Sequence, residues 1–123
     1  KRNITTGGGV YSLDIYPGTI RMVLQNQGGV SSVYAVEGAS SIVANQWQHI
    51  AGTFDGSTIK AYYNGQLDGS KAFTGLIKTS DGQLDIGTYS GGVPRPYFSG
   101  LIDKVKIYNY ARSAEQIAAD AGL

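Results

Sequence analysis

The carboxylates of this 123-residue chain are few and scattered. Hydrolysis of a glycosidic bond needs two carboxyl groups about 5 to 9.5 Å apart. The only glutamates are Glu37 and Glu115, and Glu115 falls in a predicted helix. Asp81 and Asp85 are four residues apart in a predicted turn and strand, where their side chains are not expected to converge. The sequence therefore lacks a recognisable pair of catalytic carboxylates.

A Ser-His-Asp site would depend on His49, because it is the only histidine of the chain. His49 lies beside Trp47 in an apolar run that predicts a buried strand. That setting favours a structural histidine over a catalytic one. We therefore expect that the chain is not an enzyme.

Asp103 is the carboxylate that stands out from its surroundings. Residues 98–112 alternate, so that Leu101, Val105 and Ile107 share one face with Asp103 and predict a strand. An unpaired carboxylate on an apolar face is costly. Either the sheet ends there, or Asp103 accepts backbone N–H bonds or binds a metal ion. The sequence leaves these alternatives open.

The predicted loop of residues 88–97 brings two tyrosines and an arginine close together in the sequence. Tyr89, Arg95 and Tyr97 lie there among glycines and prolines, and loops on a rigid sandwich often carry binding sites. Tyrosine rings flanked by a hydrogen-bonding group are suited to a sugar. The alternative interpretation is that these tyrosines only cover the edge of the sandwich.

Composition excludes several classes of protein. The formal net charge is +1 and the basic residues are scattered, which argues against nucleic acid or a membrane surface as partner. There is no cysteine, and no apolar run is long enough to span a bilayer. The length predicts one domain, residues 1–123. The 18 glycines and 9 tyrosines favour β-structure.

The pattern of short apolar runs between turns predicts an all-β fold, an antiparallel sandwich or jelly roll. Pro17-Gly18 and Asn64-Gly65 predict hairpin turns. The predicted strands are residues 10–16, 20–25, 32–37, 47–54, 59–63, 66–72, 84–87 and 98–112. The run at 47–54 is apolar or small on both faces, which favours a central strand.

A short helix is predicted at the C-terminal end. Ser113 and Gln116 have the spacing of a capping box, and Gly122 stands where a C-terminal cap is expected. A helix this short is stable only when it is docked. Its apolar stripe consists of Ala114, Ile117, Ala118 and Ala121.

Six short motifs together resemble the laminin G-like jelly-roll family, which has the concanavalin A-like lectin/glucanase fold. They appear in the family's order and spacing. They are Trp47-x-His49-Ile50-Ala51, Thr53-Phe54-Asp55-Gly56, Ala61-x-Tyr63-Asn64-Gly65, Leu84-x-Ile86-Gly87, Phe98-x-Gly100-x-Ile102-Asp103-x-Val105-x-Ile107-Tyr108-Asn109 and Ala114-Glu115-x-Ile117.

The resemblance implies a module without the first strands of the family, because those strands would precede Lys1; the alternative is a naturally compact variant. It therefore implies an open sandwich, to be covered by a partner chain, a strand exchange or a detached N-terminal piece. It implies that Asp103 binds a structural Ca²⁺ with groups near the N-terminus. The Glu-x-Asp-x-x-Glu run of glucanases with this fold is absent.

The resemblance also sets out the functional hypotheses. The first is a non-catalytic module of a larger secreted or cell-surface protein that binds a glycan or an extracellular protein. The second is a structural module that packs beside another domain. The third is a degenerate glycoside hydrolase.

Overall fold

The computed structural model describes residues 10–27, 33–88 and 97–122, which form two antiparallel sheets and one helix. The first sheet has the order β1-β2-β3, with β1 (Tyr11–Ile15), β2 (Thr19–Gln25) and β3 (Val33–Ser41). The second has the order β4-β5-β6, with β4 (Ile50–Phe54), β5 (Thr58–Tyr63) and β6 (Gln66–Ala72). Helix α1 (Ala114–Asp120) follows. The predicted all-β sandwich with a short C-terminal helix is confirmed.

The core lies between the two sheets. Side chains alternate along a strand, so every second residue of β2 points toward the other sheet. The buried residues that form this cluster are Ile20, Met22, Leu24, Val36, Ile59, Ala61 and Phe73. The ring of Phe73 contacts those of Tyr34 and Phe54, with centroids 4.7 and 4.8 Å away. These ring contacts extend the aliphatic core at its aromatic end.

The sandwich is closed on the side where β3 faces β6. The hydroxyl and the backbone N–H of Ser40 both donate to the carboxylate of Asp68. Gly69 lets the backbones approach, because a Cβ placed there would lie 2.5 Å from the carbonyl oxygen of Glu37. A residue with a side chain at Gly69 would push the two sheets apart.

The opposite side of the sandwich is open. It is β2, and not β1, that packs on β4 and β5 of the second sheet. The side chains of Tyr11, Leu13 and Ile15 point to the same side as the core but remain exposed. The described part of the chain therefore leaves an apolar row uncovered on β1.

Turn and cap residues take the conformations that the sequence predicts. Asn64 and Gly65 have φ values of 47° and 80°, as a tight hairpin requires. Ser113 caps α1, and its hydroxyl accepts from the N–H of Gln116 while Gln116 accepts from the N–H of Ser113. Helix α1 ends at Asp120 with Ala121 as its C-cap, and Gly122 follows with φ 79°, in the cap position that the sequence predicts. The hairpin and capping-box predictions are confirmed.

Two of the predicted strands do not form in the described residues. Residues 97–112 contribute only an isolated bridge between Thr88 and Tyr97, and residues 84–87 belong to no strand. Alternation describes which side chains a strand would bury, but a strand also needs a neighbour for its backbone hydrogen bonds. Along 98–112 of the described chain, Phe98 donates its N–H to the carbonyl of Gly87, but no ladder of such bonds continues from it, and Lys104 adopts φ 54°, which departs from an extended chain.

The strand predicted at 47–54 is shorter and lies elsewhere in the sheet than expected. It begins at Ile50, so Trp47 precedes it, and β4 is an edge strand of the described sheet. The small residues Ala51 and Gly52 led to the prediction that both faces of this strand are buried. Gly52 is instead small because the side chain of Met22 occupies the space that its Cβ would fill.

Candidate functional site

The predicted site residues fall in different places. Tyr89 and Arg95 lie outside the described residues. Tyr97 is 74% exposed and pairs with Thr88 in the isolated bridge. Asp103 is exposed, and its Oδ1 accepts from the backbone N–H of Lys104 over 2.7 Å. Within the described residues no hydrogen bond or ion pair joins Tyr97 to Asp103, and the predicted cluster of Tyr97 with Tyr89 and Arg95 lies outside the described residues.

One of the alternatives for Asp103 was that it accepts a hydrogen bond from a backbone N–H, and the N–H of Lys104 is such a donor. Calcium takes six to eight oxygen ligands. In the part of the chain that the structure describes, no group of three or more His, Cys, Asp or Glu side chains could hold a metal ion. Those residues do not by themselves supply a calcium site, and Ca²⁺ binding by Asp103 stays a prediction.

A groove of about 420 Å³ lies where the turn before β4 meets the start of the segment that follows the 88–97 loop. We call it the Trp47 groove. Clefts of this volume hold small ligands. Its walls are Ile42, Val43 and residues 45–48 on one side, and residues 98–101 on the other.

Gln48 holds the turn side of the Trp47 groove in shape. Its Oε1 accepts from the N–H of Val43 over 2.8 Å and from the hydroxyl of Tyr63 over 2.6 Å. Its Nε2 donates to the carbonyls of Val43 and Gln46 over 2.7 and 3.1 Å. These four bonds use the full capacity of a side-chain amide. Gln48 is thus a scaffold residue that ties the turn to β5.

The rim of the Trp47 groove combines exposed rings with exposed amides. Trp47 is 69% exposed, and Phe98 faces it from the other wall with about half of its surface exposed. Asn45, at φ 61°, and Gln46 are exposed on the same turn as Trp47. Rings offer flat apolar faces, and amides both donate and accept hydrogen bonds. Among the described residues that line the groove, none is charged.

A second polar cluster joins α1 to the segment before it. The carboxylate of Asp120 accepts from Arg112 over 2.7 Å and from Lys106 over 3.3 Å. The hydrogen bond from Arg112 lowers the pKa of Asp120, and Lys106 acts in the same direction. The Arg112 guanidinium also lies 4.5 Å from the ring centre of Tyr108. These contacts stabilise the docked helix.

His49 lies beside this ionic cluster with one ring nitrogen enclosed. Its Nδ1 is buried, and no described residue forms a hydrogen bond with it. Burial lowers the pKa of His49, Asp120 opposes that shift, and Lys106 adds to it. The backbone N–H of His49 donates to the side chain of Asn64 over 2.9 Å. The lowered pKa favours the neutral ring, and among the described residues none bonds to Nδ1 as a nucleophile paired with a general base would.

The sequence reasoning missed Trp47 and Phe98 as surface residues. Both belong to apolar motifs that predict burial, so the pattern pointed away from a site. A weak signal was present, because Asn45 and Gln46 directly precede the tryptophan and are polar. Nothing local in the sequence indicates that residues 45–48 and 98–101 lie together.

The laminin G family model described as the concanavalin A-like lectin/glucanases superfamily matches residues 1–118. The chain belongs to this superfamily. The match covers nearly the whole chain and confirms the family that the six motifs indicate. A concanavalin A-like sandwich accounts for the two stacked antiparallel sheets.

A solved structure with a similar fold is that of an S-layer domain-containing protein, residues 221–444, from Clostridium thermocellum ATCC 27405. It is 26% identical in sequence, with a TM-score of 0.52. The match covers 85% of this concanavalin A-like chain and 52% of that structure. A search of curated proteins finds no match.

The described residues include no helix that is long and apolar enough to cross a membrane.

Proposed function

We propose that this chain is a non-catalytic binding module of a larger secreted or cell-surface protein, and that it binds carbohydrate in the Trp47 groove. The observation that carries the proposal is the exposed indole of Trp47 beside the amide-bearing turn and opposite Phe98. Family membership supports a binding or structural module.

The chemistry of the groove fits a neutral sugar. The C–H faces of a pyranose ring are apolar and stack on aromatic faces, while its hydroxyls both donate and accept hydrogen bonds. Trp47 and Phe98 supply the faces, and Asn45 and Gln46 supply amides. None of the lining residues that the structure describes is charged, and we take the ligand to be an uncharged sugar. Because Gln48 fixes the turn, little ordering accompanies binding.

The positions of the two glutamates support the proposal of binding without hydrolysis. Glu37 lies on β3 and Glu115 in the first turn of α1, and neither lines the groove. A retaining or inverting hydrolase needs two carboxyl groups on either side of the bond it cleaves. The arrangement of Glu37 and Glu115 supports binding without cleavage.

A location outside the cell is part of the proposal. The similar solved structure belongs to a protein with an S-layer domain, and laminin G-like modules fit a multi-domain extracellular protein. This chain spans about half of that structure, so the larger protein that would contain the module is likewise part of the proposal.

A glycan array probed with the intact chain tests carbohydrate binding. Hits are then titrated by calorimetry and by the fluorescence of Trp47, the only tryptophan of the chain. We expect a neutral glycan to change that fluorescence and to bind in competition with the free sugar. Trp47→Phe should retain part of the affinity, because a smaller flat ring remains.

Variants separate the groove from other aromatic surfaces. Trp47→Ala should weaken binding at least about tenfold, which corresponds to about 1.4 kcal/mol. Tyr11→Ala removes an exposed ring of β1 outside the groove and should leave the affinity unchanged. Tyr97→Ala asks whether the 88–97 loop contributes. An array without hits, or a hit that Trp47→Ala leaves intact, would contradict the proposed groove.

A packing module is the second candidate function. The observation that favours it is the large apolar surface left exposed between residues 97 and 110, which includes Leu101 at 78% exposure. Surfaces of this kind mark contacts with other proteins. An array without hits, together with protection of this surface in the full-length parent protein, would support the packing role.

A further inference from the structure

Residues 101–108, called here the 101–108 segment, have the composition of a strand but lack a partner. Leu101, Val105 and Ile107 are all more than half exposed. Within the described part of the chain, no backbone hydrogen bond joins the segment to another segment. From Val105 to Tyr108, the described chain offers backbone N–H and C=O groups without a backbone partner beside exposed apolar side chains, which favours the addition of a strand.

Strand β1 presents the complementary half of such a pair. It lies at the edge of its sheet, so only one of its sides pairs with a described strand, β2. Leu13 and Ile15 are exposed on the core side, while Ser12 and Asp14 point to the other side. The same alternation of apolar and polar residues occurs at Val105, Lys106, Ile107 and Tyr108.

Charge disfavours pairing of the 101–108 segment with itself about any centre from residue 103 to residue 106. A two-fold axis between antiparallel strands places one residue opposite its own symmetry mate. Centring at Asp103, Lys104 or Lys106 sets like charges directly opposite each other. Centring at Val105 sets Lys104 opposite Lys106. Like charges in opposite positions destabilise a sheet.

We propose that two copies of this chain associate by reciprocal strand addition, with β1 of each copy antiparallel to residues 105–108 of the other. In this register Leu13 faces Ile107, Ile15 faces Val105 and Asp14 faces Lys106. The apolar pairs then lie on the open side of the sandwich, and the opposite charges lie on the other face. Two such contacts close a dimer, so no further edge is left to continue the assembly.

The neighbouring contacts are compatible with this arrangement. Asp14 already accepts two bonds from Arg21, over 2.9 Å each, but remains partly exposed and a carboxylate has further acceptor sites. Lys106 is also partly exposed in its pair with Asp120. The left-handed φ of Lys104 sets the N-terminal limit of the pairing, because the backbone bends there. The inference is independent of carbohydrate binding.

Light scattering coupled to size-exclusion chromatography gives the first test. We expect the intact chain to form a dimer as its concentration rises. Ile107→Asp and Leu13→Asp should each raise the dissociation constant at least about tenfold. Leu76→Asp is the matched control at an exposed leucine outside both segments, and it should leave the constant unchanged. Circular dichroism checks that each variant is folded.

Cysteine pairing gives the second test, because the natural chain has no cysteine. A mixture of the separate variants Leu13→Cys and Ile107→Cys should form a mixed disulfide dimer under mild oxidation. Ile107→Cys alone should cross-link far more slowly. A chain that stays monomeric at high concentration would overturn the proposal. A mixture that cross-links no faster than either variant alone would also overturn the proposal, because residues 13 and 107 of two copies would then not lie opposite each other.

Discussion

The hydroxyl of Ser40 donates to Oδ1 of Asp68 over 2.6 Å, and this bond ties β3 to β6 across the gap between the two sheets. The backbone N–H of Ser40 donates to both oxygens of the same carboxylate. Asp68 thus has a partner that belongs to the other sheet. Beside it, Gly38 leaves the space that the Asp68 carboxylate occupies. The closed side of the sandwich depends on this contact.

Replacement of Asp68 by alanine should destabilise the sandwich. It leaves the N–H and the hydroxyl of Ser40 without their acceptor, and an unsatisfied donor costs about 1–3 kcal/mol. The free energy of unfolding in urea measures the effect. Asp81→Ala is the control, because it removes an exposed carboxylate. Equal stability of the two variants would show that the Ser40–Asp68 contact adds nothing.

Gly69→Ala should also destabilise the chain, through contact rather than through a lost bond. Its Cβ would lie 2.5 Å from the carbonyl oxygen of Glu37 and 3.0 Å from a methyl carbon of Val36. The backbone of β3 cannot move without disturbing the core, so we expect a loss of about 1–3 kcal/mol. Urea unfolding of Gly82→Ala is the comparison, because its Cβ would meet only the flexible side chain of Ser80. A neutral Gly69→Ala variant would contradict the close approach of the sheets.

Stability should fall between pH 7.5 and pH 5, and His49 should be the cause. Burial lowers the pKa of His49 below its ordinary value of 6.5, so the folded chain holds the ring neutral where the unfolded chain binds a proton. The unfolded state then binds more protons, and stability decreases as the pH falls below 6.5. Below the pKa of the folded state, His49 causes no further loss.

His49 is the only histidine of the chain, so its effect on stability can be measured without a contribution from another histidine. The midpoint of urea unfolding is measured at several pH values for the natural chain and for His49→Gln. The variant should show a much flatter profile between pH 7.5 and pH 5, because no other side chain of the composition ordinarily titrates there. Parallel profiles for the two proteins would show that His49 is not the source of the pH dependence.

Local signals of the sequence predicted most of the described fold. The Asn64-Gly65 turn and the Ser113–Gln116 capping box depend on neighbouring residues, and each has one conformation that satisfies its backbone. The β1–β2 hairpin and the meander through β6 follow from short turns in the same way. Such features need no knowledge of distant parts of the chain.

The candidate site could not be predicted in this way. The groove depends on contact between residues 45–48 and 98–101, which are some fifty positions apart. Alternation in 98–112 predicts which side chains a strand would bury, but the partner strand must come from elsewhere. The exposure of Trp47 could not be predicted either, because an apolar motif indicates a preference for burial and does not indicate which residues cover it.

Gln48→Ala should loosen the turn of the Trp47 groove. The change removes all four hydrogen bonds of the amide and leaves the N–H of Val43 and the hydroxyl of Tyr63 without this partner. We expect a loss of about 1–3 kcal/mol in the free energy of unfolding, because part of the lost bonding is recovered from water. Gln66→Ala, at an exposed position of β6, is the matched control. Quenching of Trp47 fluorescence by acrylamide reports the turn directly: a more mobile turn changes it in Gln48→Ala and not in Gln66→Ala. If both quenching and stability match the control, the turn keeps its shape without Gln48, and the preorganised groove loses its physical basis.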